Sequence, residues 1–468
     1  MRANGPWASV RLLLLLAALD LGLSTAYSAP RGQAPRTNCG PPNYCARTDT
    51  RIEPASPPAL GPAGTTVKDP TFGSPILRVT DANTLPGRPG ISFHTDASSE
   101  ANTWNKTSTL FLIGTTGGHG PVFAFDPAAM KARYTGIDLP LPPASMSAGE
   151  FSAQSPNIIY GWSAGHRPRF MEYDLSHRGG AKELHDPAKC VDVPAASYGL
   201  DLSVSGDDIR LFGTLGPRQD DDELAYVYDL KLGCRWYDTR TGEVGGEWGP
   251  KGTISTEARY LLHNGRMSKD GKYVALTGSH ESHIVAIWRV ESLQVELCPV
   301  GPPGYCGGHR VMGYSHLVNT AGYRDSMDVR IRPLDNLRSF STLIQNLPPK
   351  GEWPDKHWSW NNANPADTTP VCGTTYLSDN SGEPGALLKE TRAWDNEVIC
   401  IETDGKGSKV WRFAHTFSSV RNGFWSTPRG NVSQDGRFYT FTSDWMNTLG
   451  RSADGKGYRT DVFVVKLE

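Results

Sequence analysis

The sequence predicts an all-β fold, a seven-bladed β-propeller closed by an N-terminal strand, on three observations. A strand–turn–strand unit recurs after residue 65, and a short apolar strand follows each of seven such units. The span from 65 to 468 divides into seven units of about 58 residues, the period range of stacked four-stranded sheets. The composition agrees. With 50 Gly and 35 Pro, the chain is rich in turns and poor material for long helices.

The clearest unit is RMSKDGKYVAL at 266–276, matched by NVSQDGRFYTF at 431–441. Each reads as a strand, a Ser-x-Asp-Gly turn and a second strand, Asp-Gly supplying the positive φ of a tight hairpin. LSVSGDDIRL at 202–211 and TWNKTSTLFL at 103–112 are weaker copies. The following strands fall at 122–126, 169–174, 234–238, 284–288, 327–331, 397–401 and 461–465. PILRV at 75–79 has no unit of its own and is expected to supply the outer strand of the last blade, removing an exposed edge.

Ahead of the repeats, Arg2 and Arg11 precede an apolar run from 12 to 19 and the small residues of 24–26. This is the pattern of a secretory signal peptide, assigned to residues 1–26. Residues 27–64, rich in Pro, Ala, Arg and Thr, read as a linker before the propeller at 65–468. Eight cysteines fit export, and neighbours in sequence suggest Cys39–Cys45, Cys190–Cys234, Cys298–Cys306 and Cys372–Cys400 among 105 possible pairings. A secreted monomer, extracellular or periplasmic and without a membrane span once mature, is expected. Lys and Arg (47) nearly balance Asp and Glu (49), which argues against nucleic acid as a partner.

Aligning the units on their turns puts Asn102, Glu150, Asp201, Arg266, His309 and Asn431 at one inner-strand position, with His357 nearby. Such a ring supports three readings: a structural charge network, a binding site in which Arg266 and Arg429 hold a carboxylate, or an acid–base site. His94 and His263 join the other inner-strand histidines as candidate ligands of a divalent cation, Ca²⁺ or Mn²⁺. Trp358 and Trp425 are candidates for stacking on a sugar face in the funnel, against blade packing. The run Asp220 to Glu223 is a second candidate for Ca²⁺, against a solvated loop. Asn105-Lys-Thr and Asn431-Val-Ser match the N-glycosylation pattern.

The stretches SKDGKYVAL at 268–276 and SQDGRFYTFTSD at 433–444 resemble the repeats of TolB-type, WD40-like bacterial propellers. Residues 438–467 are similar to the final blade of that group, which includes propeller polysaccharide lyases of the oligogalacturonate lyase type. The resemblance implies β-elimination on an acidic extracellular polysaccharide, with Arg266 or Arg429 neutralising the uronate. His309, His316 or His357 would be the base, and Tyr198 or Tyr314 would protonate the leaving oxygen. The alternative is a non-catalytic module binding a glycan or a protein partner. Those lyases carry a metal-binding His-x-His before the last repeat; here the stretch is WSTPRGN at 425–431.

Overall fold

A computed structural model describes residues 39–468, apart from 98, 143–148, 194–195, 218–223, 255–258, 280–283, 300–303, 305, 324–325, 346–353, 362, 378–391, 405–408 and 421–422. The signal-peptide assignment and the acidic run at 220–223 lie outside the described residues.

Seven antiparallel sheets follow one another along the chain. Blade 1 contains Leu110–Leu112, Gly120–Asp126 and Lys131–Leu139, with Trp104 bridged to Phe111 at its inner edge. Blade 2 runs from Gly149–Phe151 to Gly180–His185 and blade 3 from Tyr198–Val204 to Gly252–Thr253. Blade 4 runs from Leu262–Met267 to Gln294–Leu297, and blade 5 from Arg310–Met312 to Ser341–Ile344. Blade 6 runs from Pro354–Ser359 to Val410–His415. Blade 7 has Gly430–Val432, Phe438–Ser443 and Asp461–Lys466 from the C-terminus, then Pro75–Arg78 and Thr66–Lys68 from the N-terminal side.

That last sheet closes the ring as expected, with Ile76 opposite Val465 and Leu77 opposite Val464. Arg78 adds an ion pair to Asp461 at 2.6 Å, both side chains buried. In one unit the strand assignment is corrected: in blade 3 the third strand is Leu224–Asp229, and Cys234–Asp238 is the fourth.

The turn chemistry explains why the units fold locally. In blade 4, Ser268 Oγ donates to Asp270 Oδ1 at 2.6 Å and accepts from Tyr273 N at 3.0 Å, while Gly271 takes φ +71°. Blade 7 repeats this with Ser433, Asp435, Phe438 and Gly436 at φ +70°. Blade 3 puts Asp208 at the left-handed position, φ 61°. Its carboxylate accepts from Ala153 N at 2.8 Å and from Ser152 Oγ, tying blade 3 to blade 2.

The core is divided among the blade interfaces. Phe212 and Val227 of blade 3 pack with Leu276 and Trp288 of blade 4, and Val318 and Ile331 of blade 5 with Trp358 and Ile399 of blade 6. The circuit closes where Phe438 and Val464 of blade 7 meet Trp104 and Phe123 of blade 1. Residues 39–64, assigned from sequence to a linker, lie against blades 6 and 7. Tyr44 is buried with Trp411 and Phe413, and Arg47 is bridged to Arg412.

All four sequence-neighbour disulfides form, and no described cysteine is free. Among the described residues no helix is long and apolar enough to cross a membrane. The four disulfides are consistent with an extracellular or periplasmic protein. The asparagines of both glycosylation motifs, Asn105 and Asn431, are buried and hydrogen-bonded, so neither presents an acceptor amide to solvent.

Candidate functional site

The inner strands set the site, and their register differs from the sequence alignment. Backbone bonds from Asn105, Ser152, Ser205, Ser268, Gly313 and Ser433 to the second strand mark one equivalent position in six blades. Glu150, Arg266 and Asn431 stand two residues before that mark, as predicted. Asn102 stands three before it, and Asp201 and His309 four before it. Asp201 lies within a bulge between Gly199 and Leu202, and the blade 5 hairpin is shorter, Gly313 N bonding to His316 O where Ser268 N bonds to Tyr273 O.

Three of the predicted ring residues nonetheless meet. Arg266, 3% exposed, reaches Glu150 Oε1 at 3.0 Å, Glu100 Oε2 at 3.6 Å and Asp96 Oδ1 at 4.0 Å, and it donates to Leu202 O. Burial pushes Glu150 and Glu100 up to about 7 each, against the pull of Arg266. Asp201 is raised by the same burial; its Oδ2 accepts from Gly265 N at 3.0 Å. Arg310, which the alignment passed over because it selected His309, also faces this cluster. It donates to Asn264 Oδ1 at 3.2 Å, and burial lowers its pKa while Glu100 and Asp201 raise it. Arg266 is thus engaged by the protein's own carboxylates, as in a structural charge network.

Toward the start of the inner strands the channel opens on a different set. His309 of blade 5 is exposed and His357 of blade 6 is buried, and their rings lie 3.9 Å apart, inclined by 31°. His357 Nδ1 meets the Tyr376 hydroxyl at 2.9 Å. Tyr376, on the second strand of blade 6, was missed; only the cross-strand pairing of Pro354–Ser359 with Val371–Leu377 brings it there. Glu100 lies within electrostatic reach of His309.

The other candidates are dispersed. His316 opens the strand His316–Tyr323, with Nδ1 3.2 Å from Asp367 Oδ2, apart from the other two histidines. The Tyr198 hydroxyl is 2.9 Å from Nε2 of His166. Tyr314 lines a separate cavity at the turn end of the channel. Arg429 gives its guanidinium to Ala97 O and Phe424 O, each at 2.6 Å, and lies 3.6 Å over the Phe424 ring. Asn431 donates to Ser99 O and Ala101 O, joining blade 7 to blade 1; Asn102 donates to Phe151 O. Trp358 is a blade-packing residue, 1% exposed, with Nε1 on Thr320 Oγ1 at 3.0 Å. Trp425 lies 4.2 Å from the His94 ring, and both line a cavity of about 210 Å³.

His94 places Nδ1 2.9 Å from Thr95 O, and burial pushes it down to about 4. His263 is half-buried near Asp201. Among the described residues no three His, Cys, Asp or Glu side chains converge to hold a metal ion. Arg429 and Asn431, where the lyases carry His-x-His, are both bonded to backbone carbonyls. These residues do not fit the divalent cation expected from the resemblance.

No family model matches this chain, and no curated protein matches it in sequence. Among solved structures, its fold is similar to an oligogalacturonate lyase in complex with manganese. The TM-score is 0.54 at 14% identity, over 88% of this chain and 98% of that one. An oligogalacturonate lyase from Vibrio parahaemolyticus matches over the same shares at 11% identity with TM-score 0.49. TolB from Acinetobacter baumannii matches 61% of each chain at 15% identity with TM-score 0.33. The all-β propeller fold is therefore shared with the lyase structure; at such identities the likeness speaks for the fold alone.

Proposed function

We propose that this propeller acts outside the cytoplasm on a uronate-containing glycan, by β-elimination at the channel mouth. The observation that carries the reading is the contact between His309 and His357 across two blades, with Tyr376 on the inner imidazole. An exposed ring backed by a buried, oriented one suits general acid–base work, which needs a group that titrates near neutrality within reach of substrate.

In this reading neutral His309 takes the proton α to the uronate carboxyl. The electrons of that C–H bond become the C=C bond as the C–O bond to the leaving sugar breaks. His357, oriented by Tyr376, returns a proton to the departing oxygen. Arg310, the next residue in the chain after His309, stabilises the negative charge that develops on the carboxyl. Arg266 takes no part, because its partners are already carboxylates of the protein.

A second reading has its own support. Arg266 and Arg429, the expected carboxylate receptors, are both committed internally, which favours a non-catalytic glycan- or protein-binding module. The test is absorbance of the unsaturated product from a panel of uronate polysaccharides, with Mn²⁺ or Ca²⁺ supplied in parallel. Product from the wild-type chain supports elimination; a folded chain that yields none on any member leaves the binding module.

A further inference from the structure

At the turn end of the inner strands, with the Arg266 cluster in its wall, lies a second cavity of about 370 Å³ that the chemistry above does not use. Asn361 forms part of its wall at 8% exposure, and both its amide oxygen and its amide nitrogen lack a hydrogen-bond partner. Three more acceptors on the same wall are buried and unbonded: Glu100 Oε2, Asn102 Oδ1 and Gln434 Oε1. Glu100 Oε2 has the Arg266 guanidinium at 3.6 Å as an ion-pair contact. Buried polar atoms are seldom left unbonded, and four such acceptors on one cavity wall form a preset recognition surface.

The surrounding charges select the ligand class. Lys106, Lys269 and Arg266 border the cavity, which opposes a divalent cation. Glu100 and Glu150, together with the acceptor excess, oppose an anion. What remains is a neutral molecule that donates several hydrogen bonds and accepts few, small enough for the space. We propose that this cavity binds a neutral hexose-sized sugar ring, its hydroxyls donating to Asn102, Asn361, Gln434 and Glu100. The site is separate from the histidine pair and does not depend on the chemistry there.

Saturation-transfer NMR with the methyl glycosides of glucose, galactose and mannose tests it on the full chain, with galacturonate as the charged comparison. At least one neutral glycoside should receive saturation and bind more tightly than galacturonate. Asn361→Ala and Gln434→Ala should each weaken that binding at least fivefold. If Asn361→Ala fails to fold by circular dichroism, the half-buried Gln434 carries the comparison. The proposal is overturned if no neutral glycoside binds the folded wild type. It is equally overturned if His309→Ala abolishes binding that Gln434→Ala leaves intact.

Discussion

Glu150 and Glu100 combine deep burial with a shared arginine, and burial dominates: both rise from 4.5 to about 7. Between those values the folded chain holds more protons than the unfolded one, so this pair makes stability fall as pH rises from about 5 to 8. His94, pushed down to about 4, acts in the opposite sense between 4 and 6.5, so a single titration of the wild type mixes the two. Comparison with Glu150→Gln separates them, since the amide mimics the protonated acid. The variant should gain on the wild type as pH rises from 5 to 8, by up to ~3 kcal/mol at about 1.4 kcal/mol per pKa unit. Urea unfolding at three pH values reads this directly, and parallel curves would mean that Glu150 is ionised throughout.

At the scale of the strand and hairpin, the sequence was most informative where structure is made locally. Ser-x-Asp-Gly fixes its own turn through side-chain bonds and a positive φ, so the hairpins of blades 4 and 7 were legible from four residues each. Gly271→Ala should therefore cost about 1–2 kcal/mol, because its φ of +71° is strained for any Cβ and the added carbon meets Arg210 Cδ at 3.0 Å. A thermal melt in which that variant matches the wild type would contradict the turn's role. The inner-strand register was less legible. Asp201 and His309 slid by two residues because the bulge that holds Asp201 and the short hairpin after His309 are settled by packing, which leaves no mark at fixed spacing. Trp358 and His357 illustrate the same limit: adjacent in sequence, they face opposite sides, one into the blade interface and the other toward His309. Tyr376 reaches His357 only through strand pairing, so no motif announced it.

For the whole molecule, closure depends on pairing the two ends of the propeller: Pro75–Arg78 lies on Asp461–Lys466 and covers what would be an open sheet edge. A chain cut to begin at residue 80 should lose cooperative unfolding and associate with rising concentration, which sedimentation velocity would detect; a well-behaved monomer would contradict this account of closure. The ring also divides the channel into two ends with the Arg266 network between them, so the chemistry assigned to the mouth can be removed without touching the hairpin turns. The decisive measurement is the initial rate of unsaturated-product formation by His309→Ala and His357→Ala beside the wild type, on the uronate polysaccharide that the wild type cleaves fastest. The account predicts a loss of at least about 100-fold in each variant, the usual scale for a general acid or base, with a cooperative thermal transition retained in both. Rates within about twofold of the wild type in both folded variants would contradict it.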